Sequence, residues 1–361
     1  MVNFQPETGW IESDPKTTGN GTFLLDSPSA YTNYYNSSIS KCNGFLIDPP
    51  PHNKSYFEDQ ISAVKNYYNN ISNGQIDINF EVLTSTSDDG TFIVDSNMVY
   101  YSELSSYQNP EEGIVTLFAH GLEKAKVEIE QYLSFNGLQA DDSNVLFVIF
   151  HAGIGEDYGF DGYIDPANYD IRSAYIDEPM LEFIPDGSWM DQKNIKKGIL
   201  LPEGLNLIYY STIEDIYGNL GENGLCDVQV GMTGLFAYLL GYEFGLPEMF
   251  NTVSGQTGIG KFGLMDIGSF NFKGIIPSPP NAWSRVQIGW EETNLLDETS
   301  STNYQISQRY GTDVHTPSHP GFGLDRYKIH YSGGPVFSSQ QVTDVPAGKG
   351  FAHSAKYTVT T

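Results

Sequence analysis

The chain has 361 residues, 39% hydrophobic and only 17% charged, a balance that supports a packed core and excludes a wholly disordered protein. Acidic residues outnumber basic ones 45 to 18, for a formal charge of −27. So few Lys and Arg argue against nucleic acid or anionic membrane as partners, because both need a basic footprint; the balance fits a soluble extracellular protein.

No stretch reaches the roughly 18 to 20 apolar residues that a membrane span requires; the longest apolar run, 145–150, is strand-sized. The opening residues, MVNFQPETGWIESD, carry neither a basic region nor an apolar run and do not read as a signal peptide. An extracellular location then implies a leader already removed. Two cysteines, Cys42 and Cys226, cannot build a disulfide framework; one long-range bridge and two separate thiols both fit.

Residues 1–23 are polar and rich in Gly, Thr and Pro, and read as an extended lead-in. At 55–71, SYFEDQISAVKNYYNNI, apolar residues fall at Phe57, Ile61, Val64 and Tyr68, which predicts a helix ended by Asn73-Gly74. The alternation of IDINFEVL predicts a half-buried strand at 76–83. Pro110 followed by Glu111 and Glu112 opens a helix over 111–135, with acids where the dipole favours them. NVLFVIFH, 144–151, is apolar without alternation, as expected of a strand covered on both faces. A further strand is predicted at 205–212. Asp227 is the candidate cap of a helix over 228–244, uncharged before Glu243 and therefore core. Alternating strands and helices around a buried helix predict an α/β (α+β) layered domain over 24–295. Beyond it, 296–361 reads as an irregular, β-rich C-terminal segment.

The most informative residues are YLLGYEFGLPEMFNT, beginning at Tyr238, followed by GIGKFGLMDIGSF and PSPPNAWSRVQIGW. This order resembles the secreted zinc metallopeptidases of the immune inhibitor A type. Their helix carries H-E-x-x-H-x-x-G-L-P-D-x-Y-D, followed by L-M-x-x-G-S-W and A-W-S-K-x-x-x-G-W. The chain supplies Gly245-Leu246-Pro247, Leu264-Met265, Gly268-Ser269-Phe270, Ala282-Trp283-Ser284-Arg285 and Gly289-Trp290. Upstream, NYYNNISNGQIDINFEV and VLFVIFHAGIGEDYG are similar to two further segments of that family, so the resemblance spans about 45–290. It implies a zincin-like fold with a central buried helix, and a Met265 turn forming a hydrophobic floor beneath it.

The chain departs from that family where the chemistry lies. The resemblance puts Tyr238 and Tyr242 at the zinc-binding histidine positions and Leu239 at the catalytic glutamate. A phenol titrates near 10 and is a poor zinc ligand at neutral pH; leucine cannot accept a proton. Glu248 alone keeps a carboxylate, where the family has Asp. No zinc is expected, and the chain reads as a pseudopeptidase.

Other residues offer weaker candidates. His151, with Glu156 nearby and Glu248 further on, is a cleft candidate for a rebuilt metal site, although a hydrogen-bonded structural histidine is the plainer reading. Glu156, Asp157, Asp161, Asp165 and Asp170 form an oxygen-rich stretch that could hold calcium or be a solvated loop; its spacing is not that of an EF-hand. His315 and His319 have i,i+4 spacing, but two prolines forbid a helix there. Tyr31, Tyr34, Tyr35, Tyr67 and Tyr68 could form contact surfaces or, as tyrosine commonly does, fill cores and sheet faces.

Three functions follow as expectations. The first is an inactive, metallopeptidase-like extracellular protein that binds a protein or glycan at the cell surface or has a structural role there. The second is a working metal-dependent peptidase with a rebuilt site, and the third a self-assembling subunit of an extracellular filament or sheath.

Overall fold

The computed structural model describes residues 1–6, 21–26, 47–102, 109–155, 157, 170–205, 207–210, 225–228 and 230–292. They belong to two compact units, one built from Met1–Glu58 with Phe80–Met232 and the other from Asp59–Asn79 with Thr233–Thr361. The C-terminal segment 296–361, with His315 and His319, lies outside the described residues.

The first unit is organised by a five-stranded mixed sheet. Its strands are β1 (Val2–Asn3), β2 (Phe92–Ile93), β3 (Phe147–Ile154), β4 (Ala174–Ile176) and β5 (Gly198–Gly204), in the order β2-β1-β3-β5-β4. All neighbours run parallel except β4, which pairs antiparallel with β5. β5 is buried along its whole length, as a strand covered on both faces should be. Helix α1 (Lys54–Ile71) brings Phe57 against Phe150 of β3, with ring centroids 4.5 Å apart. Helix α3 (Pro110–Asn136) packs Phe118 so tightly on Gly198 of β5 that a Cβ there would lie 2.1 Å from its ring. A short helix, α2 (Met98–Tyr101), precedes α3, and another, α4 (Trp189–Gln192), precedes β5. A two-stranded antiparallel sheet, β6 (Leu207–Tyr210) with β7 (Leu225–Val228), follows.

The long helices obey their sequence signals. Asn109 caps α3 by accepting from the Glu111 N–H, Pro110 occupies the first turn, and Gly137 at φ 68° ends the helix. After α1, Asn73 and Gly74 both take positive φ, and the Gly74 N–H returns to the Asn69 carbonyl at 2.8 Å.

Three sequence expectations need correction. Val2–Asn3 is no lead-in: it hydrogen-bonds between β2 and β3, and Val2 is buried. Residues 76–83 do alternate in exposure but join no sheet, so alternation there marks an extended segment lying on the surface rather than a paired strand. Asp227 does not open the helix, because it lies in β7 opposite Ile208. Of the two readings of the tyrosine clusters, Tyr67 and Tyr68 take the core one: both are fully buried, with hydroxyls donating to the Ser278 and Ala237 carbonyls.

In the second unit, α5 (Met232–Glu243) starts four residues later than the sequence suggested. The Met232 N–H, at the boundary of the two units, donates to the Asp48 carboxylate at 2.9 Å, so the cap comes from a residue distant in sequence. The helix stops at Gly245 (φ 74°), where the Leu246 N–H reaches back to the Gly241 carbonyl at 2.9 Å. Helix α6 (Ala282–Gln287) follows a loop-rich stretch and is capped by Asn281. Among the described residues no helix is long and apolar enough to cross a membrane.

Candidate functional site: a phenol relay on a buried helix

Tyr238 and Tyr242 lie one turn apart on α5, so their side chains share a face. Their hydroxyl oxygens are 2.5 Å apart, and Tyr242 Oη donates to Glu248 Oε1 at 2.9 Å. A phenol has one proton. With that of Tyr242 committed to Glu248, the Tyr238 hydroxyl must donate to Tyr242. The order is therefore Tyr238 to Tyr242 to Glu248, a chain of donors ending on a carboxylate. Both rings are half-buried and meet edge to face at 5.3 Å.

Burial raises the phenol pKa of both tyrosines, and the carboxylate of Glu248 acts in the same direction. A raised phenol pKa stabilises the fold below the unfolded value near 10, and that contribution disappears as pH climbs through the folded value. We expect absorbance at 295 nm to show a set of tyrosines ionising only above the ordinary range. In the Tyr238→Phe/Tyr242→Phe variant that set should shrink by two residues; a titration unchanged by the substitution would contradict the raised values.

Leu239 turns into the core, where it is 5% exposed. Met265 lies in a turn and is 1% exposed, and its sulfur would sit 2.6 Å from a Cβ at Gly241, the residue beside Tyr242. The loop beneath α5 is tied by Asp266. Its Oδ2 accepts from Thr257 Oγ1 and from the Gly258, Ile259 and Gly260 N–H groups at 2.8–2.9 Å, and its Oδ1 from the Ile267 N–H. Partial desolvation opposes ionisation, but those hydrogen bonds together hold the carboxyl below its ordinary range. The glycines of GQTGIGKFG thus serve a carboxylate of the chain itself. Sequence reading passed over Asp266, although a glycine-rich loop not preceded by a strand needs some acceptor for its amides, and this is the only acid between 249 and 290.

Replacing Asp266 with Asn removes the charge and one acceptor, and should cost about 2–3 kcal/mol by urea denaturation at pH 7. A depressed folded pKa adds stability above the unfolded value near 4, and this is lost as pH falls through the folded value. The gap between wild type and Asp266→Asn should accordingly narrow toward pH 3. A gap independent of pH would contradict an ionised Asp266.

A second buried polar centre lies in the first unit, and sequence reading missed it. Glu203 of β5 accepts from His52 Nδ1 at 2.7 Å and the Leu24 N–H at 2.6 Å through one oxygen, and from the Gly153 N–H at 3.0 Å through the other. His52 Nε2 meets the Asp48 carbonyl at 3.0 Å, and the Tyr56 hydroxyl donates to the Glu203 carbonyl. Every oxygen of this carboxylate is used inside the fold, so the centre secures loops to the sheet.

His151 ends up inside the sheet rather than at a strand end, because β3 runs on to Ile154. Its ring is fully buried against Phe4, Nδ1 faces the Ala152 carbonyl at 3.0 Å, and burial pushes the imidazole down to about 4, so the ring is neutral. Of the acidic stretch, Glu156, Asp161 and Asp165 lie outside the described residues. Asp157 accepts from the Ser173 N–H and hydroxyl, each at 2.8 Å, and desolvation raises its carboxyl to about 6. Asp170 is buried. Cys42, Tyr31, Tyr34 and Tyr35 also lie outside the described residues, and Cys226 occupies β7.

Among the described residues, no three or more His, Cys, Asp or Glu side chains gather closely enough to hold a metal ion. The α5 residues themselves do not fit zinc: two neutral phenols and one carboxylate replace the two imidazoles and acid that a helical site needs. Searches of known protein families, curated proteins and solved structures return no match to this chain.

Proposed function

We propose that the chain is a zincin-like, extracellular domain of the immune inhibitor A type that binds no zinc and hydrolyses no peptides, and that acts by binding or as a structural element at the cell surface. One observation carries this reading: the helix face where the resemblance expects two imidazoles presents Tyr238 and Tyr242, whose hydroxyls are engaged with each other and with Glu248. A hydrolase of that type needs a base within hydrogen-bond reach of a metal-bound water. At the base position stands Leu239, an alkyl chain packed into the core. The mixed sheet with covering helices, the buried apolar α5 and the Met265 turn beside Gly241 agree with a layered zincin-like domain.

The test is hydrolysis. The unmodified protein, purified through two chromatographic steps and incubated with denatured protein substrates, should release no peptides whether or not chelator is present. Cleavage that co-elutes with the protein and is abolished by chelator would overturn the reading.

A further inference from the structure

Tyr242 Oη stands between two other oxygens, 2.5 Å from Tyr238 Oη and 2.9 Å from Glu248 Oε1. In an octahedral site with metal–oxygen bonds of about 2.0 Å, adjacent ligand oxygens lie about 2.8 Å apart. Both separations are near that edge length. An ion seated against these oxygens takes the place of the two phenol protons that now bridge them.

The surroundings favour a cation. Glu248 acts electrostatically on both phenols and Asp266 on Tyr238, and both charges are negative. Asp266 supplies field but no ligand, since its two oxygens already accept five hydrogen bonds. The two rings are half-buried, which strengthens charge interactions made there. Glu248 is exposed and leaves the carboxylate end open to solvent.

Proton count selects the ion. Two phenolates and one carboxylate carry three negative charges, which a trivalent ion neutralises and a divalent ion does not. A phenol titrates near 10, and aqueous zinc brings even its own water down only to about 9, so zinc leaves phenols protonated at neutral pH. Ferric iron, more highly charged, is a far stronger acid and favours anionic oxygen ligands. Burial and Glu248 hold the phenol protons in place while every nearby charge is negative; a bound trivalent cation reverses that balance.

We propose that Tyr238, Tyr242 and Glu248 form a binding site for ferric iron. The ion displaces both phenol protons to solvent, stays ferric, and completes its shell with water or a small anion. This rests on the reading that the α5 face binds rather than hydrolyses; it requires no zincin-like geometry.

Ferric nitrilotriacetate titrated into the full chain at neutral pH should produce a visible phenolate-to-iron absorption that saturates at about one iron per chain. Iron held by carboxylates alone has no such band, so surface acids do not mimic it. Y238F/Y242F should abolish the band, and E248Q should weaken iron binding at least about tenfold. Glu248 is exposed, so E248Q should stay folded and serves as the test if the double variant does not. A band that survives in folded Y238F/Y242F, or iron affinity unchanged in E248Q, overturns the proposal. An absent band with no zinc uptake overturns the iron site alone; zinc that displaces the iron overturns it together with the zinc-free reading.

Discussion

Gly234→Ala should destabilise the protein by about 3 kcal/mol or more. A Cβ on Gly234 would lie 2.0 Å from the Ser269 carbonyl oxygen and 2.9 Å from that of Gly274. These are backbone atoms, and they cannot rotate away as a side-chain end would. The Gly234 N–H also donates to the Gly274 carbonyl at 2.7 Å, so the helix and the loop are clamped at this point. Relief requires separating α5 from the 269–274 loop, which loses that bond and opens a gap. Gly245→Ala is the control. Nothing lies within 4 Å of its Cβ position, and its cost is only that of left-handed backbone, about 1–2 kcal/mol. Denaturant midpoints for the two variants should therefore differ clearly; equal losses would mean that the close approach at Gly234 is not present in solution.

The second large effect is a gain. Tyr238→His/Tyr242→His should bind about one zinc ion per chain, because Tyr242 Oη already sits 2.9 Å from Glu248 Oε1 and the same helix face would then offer two imidazoles and a carboxylate. Adding Leu239→Glu supplies the family's base, but at a position only 5% exposed, where a carboxylate without a partner costs several kcal/mol. The double variant should take up zinc and stay folded; the triple should take it up and melt at lower temperature. Failure of the double variant to bind zinc while still folded would contradict the proposed zincin-like geometry around α5.

Much of the fold was legible because local signals and tertiary need coincide. Asn109-Pro110-Glu111-Glu112 opens α3 and Gly137 ends it, and neither depends on distant residues. The buried character of α5 was equally plain, from eleven residues without a charge before Glu243. Its start was not, because the cap is Asp48, supplied from 184 positions away, while the nearer Asp227 was drawn into a strand. β1 was hidden for a similar reason: two residues carry no periodicity, and only their partners in β2 and β3 make them a strand.

Candidate residues divide in the same way. The resemblance puts Tyr238, Leu239 and Tyr242 where its family has two histidines and a glutamate, whereas the direction of the relay needed Glu248 in place. Glu203 was invisible, since a carboxylate that gathers backbone amides looks in sequence like any other acid, and Asp266 was signalled only by the glycine-rich loop beside it. His151 was placed near a cleft by resemblance, and burial explains why it is instead a neutral ring enclosed in the sheet.

Zinc stoichiometry tests the central claim most directly. The unmodified chain, equilibrated with excess zinc near pH 7.5, passed through a desalting column and measured by elemental analysis, should retain less than about 0.1 zinc per chain. Retention of close to one zinc per chain, released by chelator and lost in Glu248→Ala, would contradict it.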